Sequence, residues 1–288
     1  MRRVAFFGGA PQVRLILGNV TLQSLGVFPV KSCGAVFLQE AEVEARGLKF
    51  DRRWLVTDES GRFLTQREVP QLATIRPQLR EDTLELRCGD ARLDIPLHPH
   101  EGEPVRVQIW RDEVNAVRVG ELADEWLRDV LGLDARLVWM PDETRREVDT
   151  NFARGGEITS FSDGFPFLVL TSASVDDLND RITQNGDEAV GAERFRSNFL
   201  IEGALPYEED SWARFRIGEC EFEAVKPCSR CVIPTLDQVT GERSGNEPLR
   251  TLATYRRVNG KIYLAQNALP RKLGRVRVGD EVEVLTWR

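Results

Sequence analysis

Histidine is nearly missing from this chain: His98 and His100 are the only two in 288 residues, and they share one short stretch split by Pro99. Hydrolases of the Ser-His-Asp or Cys-His kind need an imidazole placed against the nucleophile, so that class does not fit, and both histidines read as surface residues. A basic excess is missing too. Lys and Arg number 39 against 46 Asp and Glu, a formal charge of −7, whereas duplex binding needs cations gathered on one face; no nucleic-acid partner is expected. No run approaches the roughly 20 apolar residues that cross a bilayer, so no membrane partner is expected either. The opening Met1-Arg2-Arg3 and Val4 to Ala10 is interrupted by Pro11 and Arg14 before a secretory core of about 7–15 apolar residues can form. Gly-rich phosphate loops are lacking as well: Phe7-Gly8-Gly9 is not followed by Gly-Lys-Ser/Thr, and no G-x-G-x-x-G occurs.

What is present suits a folded, water-soluble chain, since 41% apolar residues are enough for a buried core. The five cysteines, Cys33, Cys88, Cys220, Cys228 and Cys231, are odd in number in a chain large enough to fold without staples. That usage predicts free thiols in a reducing compartment, the cytoplasm. The carboxylate pairs Asp176/Asp177 and Glu208/Glu209 read as solvated faces rather than acid/base dyads.

Period-two alternation predicts strands over Val20 to Phe28, Ala41 to Ala45, Trp54 to Thr57, Thr83 to Arg87, Arg92 to Ile95 and Val105 to Trp110. Asp58-Glu59-Ser60-Gly61 reads as the turn of a hairpin whose second arm is Arg62 to Thr65. A helical period covers Glu121 to Leu131, with Gly132 as its C-cap. The polar run Asp142 to Asn151 reads as a loop, and a boundary is placed near residue 140. Beyond it come a buried strand at Phe167 to Leu170, a helix capped by Ser172, and strands at Phe199 to Ile201, Cys220 to Val225 and Val276 to Leu285, the last broken by a turn. Many short strands with few helices indicate barrel-like β structure.

The sharpest local signal is Lys226-Pro227-Cys228-Ser229-Arg230-Cys231. Two thiols three residues apart have three common uses. A structural zinc site wants a second close pair of ligands, a thioredoxin-like dithiol wants a helix start where Val232-Ile233-Pro234-Thr235 stands, and a single thiolate beside cationic groups can ligate a soft metal held in an anionic cofactor. Two buried cysteines without chemistry remain a fourth possibility.

Four segments in order then narrow the choice: Pro29-Val30-Lys31-Ser32-Cys33, Phe50-Asp51-Arg52-Arg53-Trp54, Arg194-Phe195-Arg196-Ser197-Asn198, and the C-S-R-C segment. Together they resemble the MOSC family with its N-terminal β-barrel partner domain, close to the bacterial YcbX-type proteins and similar to the mitochondrial amidoxime-reducing component. The likeness runs from about Val20 to Leu285. It implies an α+β, β-rich fold: an N-terminal mixed β-barrel-like domain over 20–140 packed on a MOSC β-barrel domain over 141–288, the cofactor between them and residues 1–19 an extension.

The implied cofactor is the molybdenum cofactor, Mo-molybdopterin, with Cys231 as the protein's ligand to the metal. Lys31, Ser32, Arg52, Asp163, Arg196, Asn198, Ser229, Arg230 and Asn267 are the implied cofactor contacts, and Cys228 is taken as structural. Arg and Lys are the right types for a cofactor ending in phosphate, Arg as a planar fork and Lys as a point charge. The implied activity is reduction of small N-hydroxylated compounds, namely amidoximes, hydroxylamines and N-hydroxylated bases. Relatives often continue into an iron–sulfur domain, whereas this sequence ends at Trp287-Arg288, so the electrons are expected from a separate ferredoxin, flavin reductase or cytochrome. A sulfur or cofactor carrier is the alternative. Thr65-Gln66-Arg67-Glu68 departs from the family's usual Ala at this place.

Overall fold

The computed structural model describes residues 19–99, 102–243 and 245–288. The expected extension therefore falls outside the described residues except for Asn19, and His100 does too. His98 is exposed and its ring faces Phe50 at 5.6 Å.

Alternation builds the strands. In Glu40–Glu44 the side chains of Ala41 and Val43 are buried while Glu40 and Glu42 face solvent. Phe167–Thr171 lacks that alternation because it lies inside a sheet with strands on both sides and packing on both faces. That sheet has nine strands. Its order is Val282–Trp287, Trp212–Ile217, Cys220–Ser229, Lys261–Lys272, Phe167–Thr171, Phe199–Glu202, Thr21–Val27 and Val36–Leu38, with Arg257–Val258 added against Lys261–Lys272. Phe167–Thr171 and Phe199–Glu202 run parallel, so the chain must cross over between them, and the helix Ser172–Gln184 supplies the crossover. One face of the sheet closes over Phe167, Phe199, Phe215 and Phe222, whose rings stack or meet edge-on at 5.1–5.5 Å.

The first half of the chain builds a four-stranded sheet, Trp54–Thr57, Arg136–Trp139, Asp112–Arg118 and Pro104–Ile109, and a three-stranded one, Arg76–Leu79, Thr83–Cys88 and Ala91–Pro96. The helix Glu121–Leu131 lays Ala123, Trp126 and Leu127 on this core and ends at Gly132, whose φ of 69° suits a residue without Cβ. Strands Thr21–Val27 and Val36–Leu38 nevertheless belong to the nine-stranded sheet, and Glu40–Glu44 pairs with Gly274–Arg277. The chain thus starts among strands of its second half before building the first. The segments that leave that sheet carry the first two motifs and are tied to each other: Val30 bridges Trp54, and the Arg52 N–H donates to the Phe28 carbonyl at 2.8 Å.

Several expectations need correction. The arm Arg62 to Thr65 is not a strand: Phe63 makes one bridge to Thr57 and Arg62 one to Gln108, so the arm divides its bonds between Trp54–Thr57 and Pro104–Ile109 and ladders against neither. Thr171, not Ser172, caps its helix, its hydroxyl accepting from the Ser174 N–H at 3.3 Å. The strand from Cys220 runs on to Ser229 through three register shifts and so includes Cys228. Asp112–Arg118, Trp212–Ile217, Lys261–Lys272 and the helix Leu249–Tyr255 were not anticipated. In Lys261–Lys272, Pro270 argues against a central strand, and the ladder accommodates it where the register slips. Glu209 is no solvated face but 1% exposed, as described below.

Candidate cofactor site

Backbone strain marks the first three motifs. Ser32, Arg52 and Arg196 adopt φ of 68°, 50° and 57°, a left-handed region that costs a residue with Cβ about 1–3 kcal/mol, and each stands in a segment singled out from the sequence. The Ser32 carbonyl accepts from Gln66 Nε2 at 2.7 Å. Arg52 donates to the buried Asp51 at 2.5 Å and to the Arg196 carbonyl at 3.2 Å, while Arg196 donates to the Cys33 carbonyl at 2.7 Å. Both guanidinium groups lie over the Phe28 ring, 4.2 and 4.4 Å from its centroid. Two cations thus share one aromatic ring beside the Asp51 carboxylate. Burial, and then the charge of Arg52, bring Arg196 down to about 9.

Lys31 extends the cluster. Its Nζ is 2.5 Å from Asp163 Oδ1, and burial lowers it to about 8 against the pull of that carboxylate. Burial alone would raise Asp163, but Lys31 and Arg67 outweigh it and hold the carboxyl well below the usual range. Arg67 Nη2 donates both to Asp163 Oδ2 and to Cys231 Sγ, each at 3.3 Å. One continuous path therefore joins Lys31, Asp163, Arg67 and Cys231.

The thiols are not equivalent. Cys33 and Cys220 are fully buried, and burial pushes them up to about 12 and about 11, which keeps them protonated at neutral pH. Cys231 is half-buried, follows the end of Cys220–Ser229, and has a guanidinium donor on its sulfur. All five cysteines are free. Cys228 accepts from Arg230 Nη1 at 3.2 Å, and Arg230 Nη2 donates to the Phe195 carbonyl at 3.0 Å. Arg230 Nε is buried with no acceptor. Ser229 is exposed at the strand end.

Two of the expected contacts also bond the backbone. Asn198 is 1% exposed, donates to the Gly26 carbonyl at 3.1 Å and accepts from the Leu168 N–H at 3.1 Å, tying three strands together. Asn267 donates to the Lys226 carbonyl at 3.2 Å. Conversely, the fold recruits residues that were not assigned a role. Arg67 was legible only as part of a segment that departs from the family pattern. Gln238, which bonds Gln66 and sits 3.4 Å from Arg196, carried no signal at all. Arg146, from the polar linker, donates to the carbonyls of Ser160 at 2.9 Å and Ser162 at 2.5 Å and so fixes the loop that presents Asp163.

The residue set can be tested against the implied cofactor. Lys31, Arg52, Arg67, Arg196 and Arg230 stand with two carboxylates, Asp51 and Asp163; one guanidinium N–H, Arg230 Nε, lacks an acceptor; and the Cys231 thiol is half-buried. An anionic group with a soft metal fits that set, since it would relieve the repulsion among the cations and occupy the sulfur. Among the described residues no three His, Cys, Asp or Glu side chains gather to hold a metal by themselves. A cleft of about 350 Å³ lined by Thr235, Arg243, Asn246 and Arg250 contains none of these groups.

Known proteins resemble both halves of the chain. Residues 19–134 match the family model of the MOSC N-terminal beta barrel domain, and residues 157–283 match that of the MOSC domain. The chain is 34% identical to mitochondrial amidoxime-reducing component 1 of Mus musculus, over 98% of this chain and 87% of the relative. To the protein of the same name from Homo sapiens it is 34% identical, over 94% and 85%. It is 30% identical to the molybdenum cofactor sulfurase of Oryza sativa subsp. japonica, over 85% of this chain but 32% of that protein. The chain therefore belongs to the MOSC family, a family of molybdenum-cofactor-binding proteins, and carries the MOSC N-terminal β-barrel domain followed by the MOSC domain.

Proposed function

We propose that this chain is a molybdenum-cofactor oxidoreductase that reduces small N-hydroxylated compounds, taking electrons from a separate ferredoxin, flavin reductase or cytochrome. The observation that carries the reading is the half-buried Cys231 thiol, touched by Arg67 at 3.3 Å and backed by a cluster with more cations than carboxylates. The names of the mouse and human relatives support the substrate class. A domain division at 20–140 and 141–288 accompanies this reading, as does a reducing, cytoplasmic location suited to five free cysteines. No described helix is long and apolar enough to cross a membrane.

Cys231 would ligate the metal, and Lys31, Ser32, Arg52, Arg196, Ser229 and Arg230 would hold the pterin and its phosphate. When bound, the cofactor supplies two-electron oxygen-atom chemistry. The protein's own groups do the rest. Arg67, locked by Asp163, fixes the direction of Cys231 Sγ; Asp163 also holds Lys31 in its charged form against burial; and Gln66 and Gln238 secure the turn at Ser32.

A carrier of sulfur or of the cofactor is the second reading. It is favoured by Cys228, half-buried in the same segment with Arg230 on its sulfur, and by the sulfurase relative. The deciding experiment expresses wild type and Cys231→Ala in a host that makes the cofactor. Molybdenum per chain is measured by elemental mass spectrometry, and amidoxime reduction is assayed with an artificial low-potential donor. Molybdenum and turnover in wild type, both lost in a folded Cys231→Ala, support the reductase. Bound molybdenum without turnover, together with a persulfide on Cys228 or Cys231, would support the carrier.

A further inference from the structure

The turn joining Pro104–Ile109 to Asp112–Arg118 has two residues, Trp110 and Arg111. Trp110 adopts φ of 54°, where two-residue hairpins normally place Gly or Asn because a Cβ is crowded there. Its surface is 47% exposed. Neither turn stability nor core packing selects an exposed tryptophan at such a position. The indole is nevertheless held firmly. Phe63 meets it edge-on with centroids 5.0 Å apart, the Arg67 guanidinium lies 4.9 Å from its centroid, and Gln108 Nε2 donates to the Trp110 carbonyl at 3.3 Å. Asp112, at the end of the turn, is anchored by Arg146 at 2.8 Å. Through Arg67 the exposed ring stands one residue away from Cys231 Sγ.

We propose that Trp110 forms the stacking wall of a substrate subsite, taking the flat aromatic end of an amidoxime or N-hydroxylated base while the N–O group turns toward Cys231. This deepens the reductase reading and rests on it. The chemistry follows from the ring: a flat aromatic group stacks on an indole face, and the N–O end of the same molecule is left to face Cys231. Arg67 already uses part of that surface, and the exposed remainder is open to a ligand. Trp110 therefore selects aromatic over small aliphatic N-hydroxylated substrates, and a rigid two-residue turn holds it at little ordering cost.

The test uses the cofactor-loaded protein as wild type, Trp110→Phe and Trp110→Ala. Calorimetric titration with benzamidine and with acetamidine reads the subsite without turnover, and kcat/KM is measured for an aromatic amidoxime and for hydroxylamine. Trp110→Ala is expected to weaken benzamidine binding and raise KM for the aromatic substrate about fivefold to tenfold, with Trp110→Phe recovering most of the loss. Acetamidine and hydroxylamine should change less than about twofold. Equal losses on aromatic and small compounds would overturn the proposal and leave Trp110 as a prop for Arg67; so would unchanged benzamidine affinity in Trp110→Ala. Trp110-dependent benzamidine binding in a wild type that reduces neither substrate would remove the reductase reading but keep the subsite.

Discussion

Two buried polar clusters in this molecule are built from similar residues and end up in opposite conditions. Around Cys231 the cations outnumber the carboxylates, and Arg230 Nε has no acceptor. Beneath the helices of the second half, Glu209 accepts from the hydroxyls of Thr171 and Ser174 at 2.9 Å. There Asp210 pairs with Arg256 at 2.6 Å and accepts from Gln266 at 2.7 Å, and Arg288 donates to the Asp210 and Ala224 carbonyls. The second cluster satisfies itself and needs nothing from outside. The first, on the reading proposed above, balances when the anionic cofactor joins it. Burial of charge is thus no guide to function on its own, whereas burial without internal compensation is.

Removing the soft ligand should break the comparison most sharply. Cys231→Ala is expected to abolish molybdenum retention while leaving the melting temperature of the apoprotein within a degree or two, because half-buried Cys231 packs no core; elemental analysis and calorimetry read the two effects. Next comes Arg67→Gln, which takes the donor from the sulfur. Loss of such an orienting partner should lower molybdenum affinity about 10–100-fold with the fold retained, seen as faster metal loss to a chelator.

The self-satisfied cluster should answer in stability instead. Burial, and then the neighbouring Asp210, push Glu209 from 4.5 up to about 7, so the folded state binds a proton that the unfolded chain has already released. Stability therefore falls as pH rises from about 4.5 to 7, by on the order of 3 kcal/mol, and Glu209→Gln should flatten that slope without changing molybdenum content. A melting curve at each half pH unit checks both the sign and the window. The smallest effect belongs to Asn198→Ala. It leaves the Leu168 N–H and the Gly26 carbonyl without their side-chain partner, costing about 1–3 kcal/mol by denaturant titration, and a molybdenum content equal to wild type would confirm that this amide serves the sheet.

The residues that could be read in advance were those whose chemistry does not depend on neighbours. Strand Trp54–Thr57 and helix Glu121–Leu131 appear where periodicity and a terminal glycine put them. Lys31, Arg52, Asp163 and Arg196, which the family resemblance implies, meet in one cluster because the fold ties their segments together. Asn198 belongs to such a segment too, and its amide also bonds two strands, which only the register of the sheet reveals. Glu209 looked like any acidic surface pair until the strand Phe167–Thr171 set Thr171 above it.

The amino-acid sequence by itself determined the β-rich class and the family resemblance that singles out Cys231, because composition, period and motif act over a few residues. Tertiary structure alone decided that the first strand joins the sheet of the second half. It alone brings Arg67 from one half onto the sulfur of Cys231 in the other, and leaves Arg230 Nε without a partner. The first two depend on contacts between residues more than 160 positions apart, and no local pattern encodes them.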